Sequence, residues 1–171
     1  MRNNKQKGFS LIELLIVVAI ILIIAAIAIP NLLRSKMAAN EASAVASLRT
    51  LNTSALLYST TYNTLPPTLG AMGPDVATPV GSAPTSLSAD LIDIALAGGT
   101  SGSISTALTA TKSGYTITYI PTGTPVTNYS MTAVPVTPNG SGIRTFYTDQ
   151  TGVIGANATG TAPTASNTTP L

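Results

Sequence analysis

The apolar run from Phe9 to Ile29 constrains this chain more than any other feature. Only Ser10 and Glu13 interrupt it. Its twenty-one residues, at about 1.5 Å rise each, would span roughly 31 Å, the thickness of a bilayer's hydrocarbon core. A carboxylate at mid-membrane costs about 2.5–3.5 kcal/mol on insertion scales, less near the interface. Glu13 therefore needs an explanation, as does the basic stretch with Arg2, Lys5 and Lys7 just before it. Three readings compete. A secretory signal peptide would use Ala26-Ile27-Ala28 as its cleavage site, but the run exceeds the usual apolar core of about 7–15 residues and has no use for an acid. A plain anchor leaves Glu13 unexplained. A short leader cut away to leave the apolar helix on the mature protein accounts for both oddities.

The residues favour the third reading. "KGFSLIEL", continuing as "FSLIELLIVVAIILIIAAIAIP", resembles the N-terminus of type IV prepilins, and the short leader and Phe start look like the IVa class. The resemblance covers about the first thirty residues. It implies cleavage by a prepilin peptidase after Gly8, N-methylation of Phe9, a polymerisation role for Glu13, and a helix kink at Pro30. Family members often carry a glycine midway along this helix. Leu22 stands there in this chain, so any melting on assembly is expected to concentrate near Pro30, where the ring removes a hydrogen bond and crowds the preceding turn.

Elementary chemistry agrees with the role that the resemblance gives Glu13. Cleavage would expose an α-amine on Phe9, cationic at neutral pH with an ordinary pKa of about 7.7–8.0. Residues 9 and 13 share a helix face. The amine of an incoming subunit can equally neutralise Glu13 of a subunit already in a filament. Either pairing relieves a poorly solvated carboxylate, and the second sets an axial register.

The remainder of the chain has a different composition. Charged residues are 8% of the whole, and Thr, Ser, Ala, Gly and Pro dominate after the apolar run. The net charge of +2 comes from the leader: without Arg2, Lys5 and Lys7, five basic residues face six acids. No basic patch with interleaved aromatics appears, so no direct nucleic-acid site is expected. Cys and His are absent, which removes thiol chemistry, disulfides, the usual zinc ligand sets and His acid–base catalysis.

The helix is expected to continue beyond Pro30 to about residue 62, reaching about 50 residues and roughly 75 Å. Met37, Ala44, Leu48, Leu51, Ala55 and Tyr58 form its apolar stripe, widened by Val45, while Arg34, Lys36, Glu41 and Arg49 fit a solvated face. Leu65-Pro66-Pro67 ends it. "SADLIDIALAGG" reads as a short helix capped by Ser88, with Leu87, Leu91 and Ile94 or Ala95 inward. Asp90 and Asp93 are read as a solvated face. Alternation predicts strands at Tyr115–Ile120, Asn128–Val134 and Ile143–Thr148, with a short fourth at Gly152–Ile154 and a turn capped by Asp149. The tail "GANATGTAPTASNTTPL" reads as a surface extension or disorder. The family often closes this region with a disulfide, so this chain must hold it by strand pairing and packing.

These readings divide the chain into a cleaved leader (1–8), a transmembrane and filament-core helix (9–30), the amphipathic half of that helix (31–62), a loop region with a short helix (63–114), an antiparallel sheet (115–154) and a low-complexity tail (155–171). The fold class is α+β, a long N-terminal helix packed on a small antiparallel sheet, the pilin plan. No catalytic constellation, metal site or cofactor is expected, and the chain is not read as an enzyme. The resemblance implies a homopolymer, a prepilin peptidase/methylase, an inner-membrane platform protein and, indirectly, an assembly ATPase and a secretin. It implies an inner-membrane precursor and a cell-surface pilus. The alternatives are a major pseudopilin of a type II secretion system and a Sec-exported soluble binding domain cut after Ala28.

Overall fold

A helix of 52 residues, α1 (Leu11–Tyr62), carries both halves of the expected helical pattern and continues through Pro30. The computed structural model describes residues 9–74, 83–99 and 107–171. The expected leader, residues 1–8 with Gly8, lies outside the described residues. The chain forms two units, one ending at Lys36 and the other Met37–Leu171.

In the first unit, no described residue from 9 to 36 is buried and Ala25 alone is half-buried. Pro30 has no N–H, so the carbonyl four residues earlier loses its usual donor. The Asn31 amide donates to the Ile27 carbonyl at 3.1 Å, and the Ser35 hydroxyl to the Asn31 carbonyl at 3.0 Å. Side chains thus supply extra donors along this stretch of backbone.

In the second unit, the expected stripe is the buried face. Ala44, Leu48, Leu51, Ala55 and Tyr58 are buried, while Met37 and Val45 are half-buried. The helix stops where Asn63 takes a left-handed backbone (φ 54°), a common helix ending that asparagine tolerates. This precedes Leu65-Pro66-Pro67, so the prolines follow the stop rather than cause it.

Six strands make one antiparallel sheet in chain order: β1 (Thr109–Lys112), β2 (Tyr115–Thr122), β3 (Asn128–Pro135), β4 (Thr145–Asp149), β5 (Ile154–Asn157) and β6 (Thr169–Pro170). Tyr115, Ile117 and Tyr119 on β2 and Tyr129, Met131 and Ala133 on β3 point inward, as their alternation predicts. They form a single apolar cluster with the α1 stripe.

Three expectations are corrected. The short helix is not at 88–97 but at α2 (Leu69–Met72), capped by the Thr68 hydroxyl accepting from Ala71 N–H at 3.0 Å. Residues 94–98 form a turn, and Ile92, Leu96 and Ala97 are buried where Leu87 and Ile94 are exposed. Asp90 has φ 53°, a backbone that starts no helix. Second, the sheet runs beyond 115–154 in both directions, through β1 and β6. Their short, Thr-rich sequences carry no apolar alternation to announce them.

Third, the tail is ordered. The Asn157 amide, 7% exposed, donates to the Asn167 carbonyl at 2.9 Å and the Thr161 hydroxyl at 3.2 Å, and its oxygen accepts from Thr159 N–H and hydroxyl. Asn167 closes the loop from the other side through Thr164 N–H and the Ala162 carbonyl. Thr145, fully buried on β4, donates to the Thr161 carbonyl at 2.8 Å. Asparagine side chains tie together a region that has no disulfide. Asn157→Ala removes four hydrogen bonds made by a buried side chain, so it should cost about 1–3 kcal/mol, read from the denaturation midpoint. Thr159→Ala, which removes fewer bonds, should cost less.

Candidate functional site

Residues 9–13 are where processing and assembly chemistry is expected. Phe9 is 77% exposed and precedes the helix. Ser10 is the last residue before α1, and its carbonyl accepts from Leu14 N–H at 3.3 Å. The Glu13 carboxylate turns back and accepts from Ser10 N–H at 3.0 Å. This is one arm of a capping box, in which an acid at the third helical position satisfies the N–H of the residue preceding the helix. The Ser-x-x-Glu spacing advertises it. The acid is also favoured in the first turn by the helix dipole. Glu13 therefore has a local partner in the single chain, and the apolar face that follows it has none.

A different acid anchors the second unit. Glu41, expected on the solvated face, is 7% exposed. One carboxylate oxygen accepts from Ile143 N–H at 2.9 Å and Arg144 N–H at 3.2 Å, and the other from Arg144 Nε at 2.8 Å. Burial alone would raise its pKa, but the backbone N–H of Ile143 and the Arg144 side chain and N–H together hold it below its ordinary value. The signal was present: Glu41 is four residues after Met37 and three before Ala44, on the buried stripe itself.

Around this clamp, the Asn40 amide donates to the Ser141 carbonyl at 2.8 Å, and the Ser43 hydroxyl to that of Ser113 at 2.9 Å. Further along α1, Asn52 links Thr148 and Tyr129, at 2.9 and 3.1 Å. Tyr115 OH donates to the Arg144 carbonyl at 2.8 Å, and burial, aided by the Glu41 charge, pushes this phenol up to about 12. A side chain at Gly142 would collide with the Tyr115 ring, so only glycine permits this approach. Asp149 caps its turn as expected, accepting from the Thr151 N–H and hydroxyl. Asp93, read as solvated, pairs with Lys112 at 2.9 Å.

The exposed apolar helix with its acid at the start, followed by a helix-and-sheet α+β unit, is consistent with the pilin fold. Residues 3–29 match the family model described as the prokaryotic N-terminal methylation motif. The chain is 63% identical over 41 residues to the type IV wide pilus major component of Thermus thermophilus, covering 24% of this chain and 30% of that protein. It is 49% identical over 51 residues to the type IV major pilin protein of Myxococcus xanthus, covering 30% and 23%. It is 32% identical over 68 residues to the type II secretion system core protein G of Aeromonas hydrophila, covering 40% and 48%. The chain thus spans less than half the length of each of these relatives. No solved structure matches it. The motif and the relatives support a type IV pilin, and at the coarser level a pilus or pseudopilus subunit.

Glu41 gives this unit an acid limb. Its carboxylate is favoured on folding, so the folded state binds fewer protons. That stability is complete above the ordinary value of 4.5 and is lost as pH falls through the lower folded value. Glu41→Gln should lower stability by about 1–3 kcal/mol at neutral pH and flatten the fall below pH 4.5. Thermal melts of both proteins across pH check this.

Proposed function

We propose that the protein is a structural, non-enzymatic subunit of a type IV pilus. It is inserted in the inner membrane as a precursor, cut after Gly8, methylated on Phe9 and polymerised through the helix that follows. The observation that carries this reading is the methylation motif over residues 3–29 leading into an apolar helix with no buried face. In a bilayer such a helix satisfies its own backbone and buries its side chains in lipid. In a filament the same side chains pack against those of other copies, so apolar burial is kept on leaving the membrane. Glu13 would exchange the Ser10 N–H, or share it, with the Phe9 amine of a neighbouring copy. Pro30 marks a flexible point in this scheme. A homopolymer, the peptidase/methylase and a membrane platform are the direct partners, with an ATPase and a secretin acting indirectly. The mature fibre lies at the cell surface.

A second reading, a pseudopilus subunit of a type II secretion system, draws support from the match to the core protein G of Aeromonas hydrophila. Imaging of surface fibres separates the two.

N-terminal sequencing of the mature protein should begin at Phe9 with a methylated amine. A start at Ile29 would instead mean signal-peptide cleavage and a soluble binding domain. Substituting Gly8 should leave unprocessed precursor. Glu13→Ala should leave a processed subunit in the membrane and abolish fibres; abundant normal fibres from that variant would remove Glu13 from the register role.

A further inference from the structure

The sheet face turned away from α1 is uncharged over most of its width. Outward positions alternate with buried ones, so Thr109 on β1, Thr118 on β2, Thr132 on β3 and Tyr147 on β4 stand in one cross-strand row. At about 4.8 Å between strands, this row runs roughly 14 Å. Ser130 lies beside Asp149 in a neighbouring row. Asp149 is the one charged residue among the outward positions of β1 to β4. The hydroxyls of Thr109, Thr118, Ser130, Thr132 and Tyr147 make no hydrogen bond among the described residues and face solvent. Those of Thr145, Thr159, Thr164 and Thr168 are all engaged within the chain.

The C-terminal region raises a wall at one end of this row. Thr145 donates to the Thr161 carbonyl at 2.8 Å, and Gly155 admits Thr168 where a side chain would collide with it. A cleft of about 200 Å³ opens there, with Tyr147, Asp149, Val153, Ala165 and Pro170 among its walls. It is smaller than the roughly 300–1,000 Å³ of sites for drug-sized molecules, a size for one ring. One Asp149 oxygen is held by the Thr151 N–H and hydroxyl, at 2.9 and 2.6 Å. That aims the carboxylate and leaves its other oxygen free to accept. No basic residue lines the cleft, so nothing in it recruits an anion.

We propose that the cleft and the row together bind a neutral oligosaccharide. A pyranose ring is apolar on its faces and carries hydroxyls around its rim. In the cleft one face rests on Tyr147, with Val153 and Pro170 beside it, while a rim hydroxyl donates to the free Asp149 oxygen. The rings that follow cross the strands over Thr132, Thr118 and Thr109, whose hydroxyls both donate and accept. Charge selects the ligand. One acid and no cation disfavour nucleic acids, uronic-acid chains and phosphorylated lipids, whereas a hydroxyl surface suits an uncharged polyol. α1 packs on the opposite face of the sheet, so contacts made through α1 do not cover this one. The site stands whether or not the subunit polymerises.

Saturation-transfer NMR on the full-length protein, in a zwitterionic detergent without a sugar headgroup, tests this. The probes are methyl β-glucoside as a single ring and cellotetraose as an extended chain. Both should receive saturation, and the tetramer should bind more tightly. Tyr147→Ala should weaken both about fivefold, while Tyr147→Phe keeps the ring and most of the affinity. Asp149→Asn still caps its turn and should weaken both about tenfold. Thr118→Val combined with Thr132→Val keeps side-chain shape and strand preference. It should weaken the tetramer about two- to fivefold and leave the single ring unchanged. Thermal melts of each variant exclude misfolding as the cause. No saturation of either sugar, or undiminished binding by Tyr147→Ala, overturns the proposal. So does a tetramer that binds no more tightly than the single ring, or a carboxylated cellotetraose that binds better than the neutral one.

Discussion

Burial of one face of α1 in the second unit is the interaction on which the rest of the fold depends. Leu48, Leu51, Ala55 and Tyr58 are sealed in one cluster with the inward residues of β2 and β3 and with Phe146 of β4. Strand pairing alone would leave those aromatic and aliphatic side chains wet, and α1 alone would expose its stripe. Each surface is stable because the other covers it. The polar side chains along the same face then have fixed neighbours, which is why Asn40, Glu41, Asn52 and Ser54 all find partners beyond their own helix.

The same helix carries a surface that has no such cover. Residues 9–29 show no buried position, so no described part of the chain covers their side chains. One continuous element thus carries a face settled within the chain and a face that no described residue covers. Glu13 belongs to the second part and Glu41 to the first. They are chemically the same group with opposite duties. Glu13 has a local N–H at the helix start and stays exposed, whereas Glu41 is enclosed by two backbone donors and a guanidinium.

Much of this was legible. The methylation-type N-terminus is legible because the whole motif lies in contiguous residues. The α1 stripe and the alternation of β2 and β3 follow from simple periods of three to four and of two. Glu41 was misplaced because a charged residue was assigned by type to the solvent, although its spacing put it on the stripe. The proposed helix at 88–97 failed because Asp90 adopts a left-handed backbone there. The C-terminal region was misread because Asn157, Asn167 and the surrounding threonines look like disordered composition until their amides are brought together.

The sequence by itself determined the segment that must find an apolar partner, the bond at which the family would cut, and the α+β order of the elements, since each follows from local residue chemistry or period. Only the tertiary structure decided which donors hold the buried acid, how a cysteine-free tail is closed and which charges remain unpaired. Those outcomes depend on residues about 10 to 100 positions apart meeting in space, as Asn157 meets Asn167 and Glu41 meets Arg144, and no local pattern encodes such a meeting.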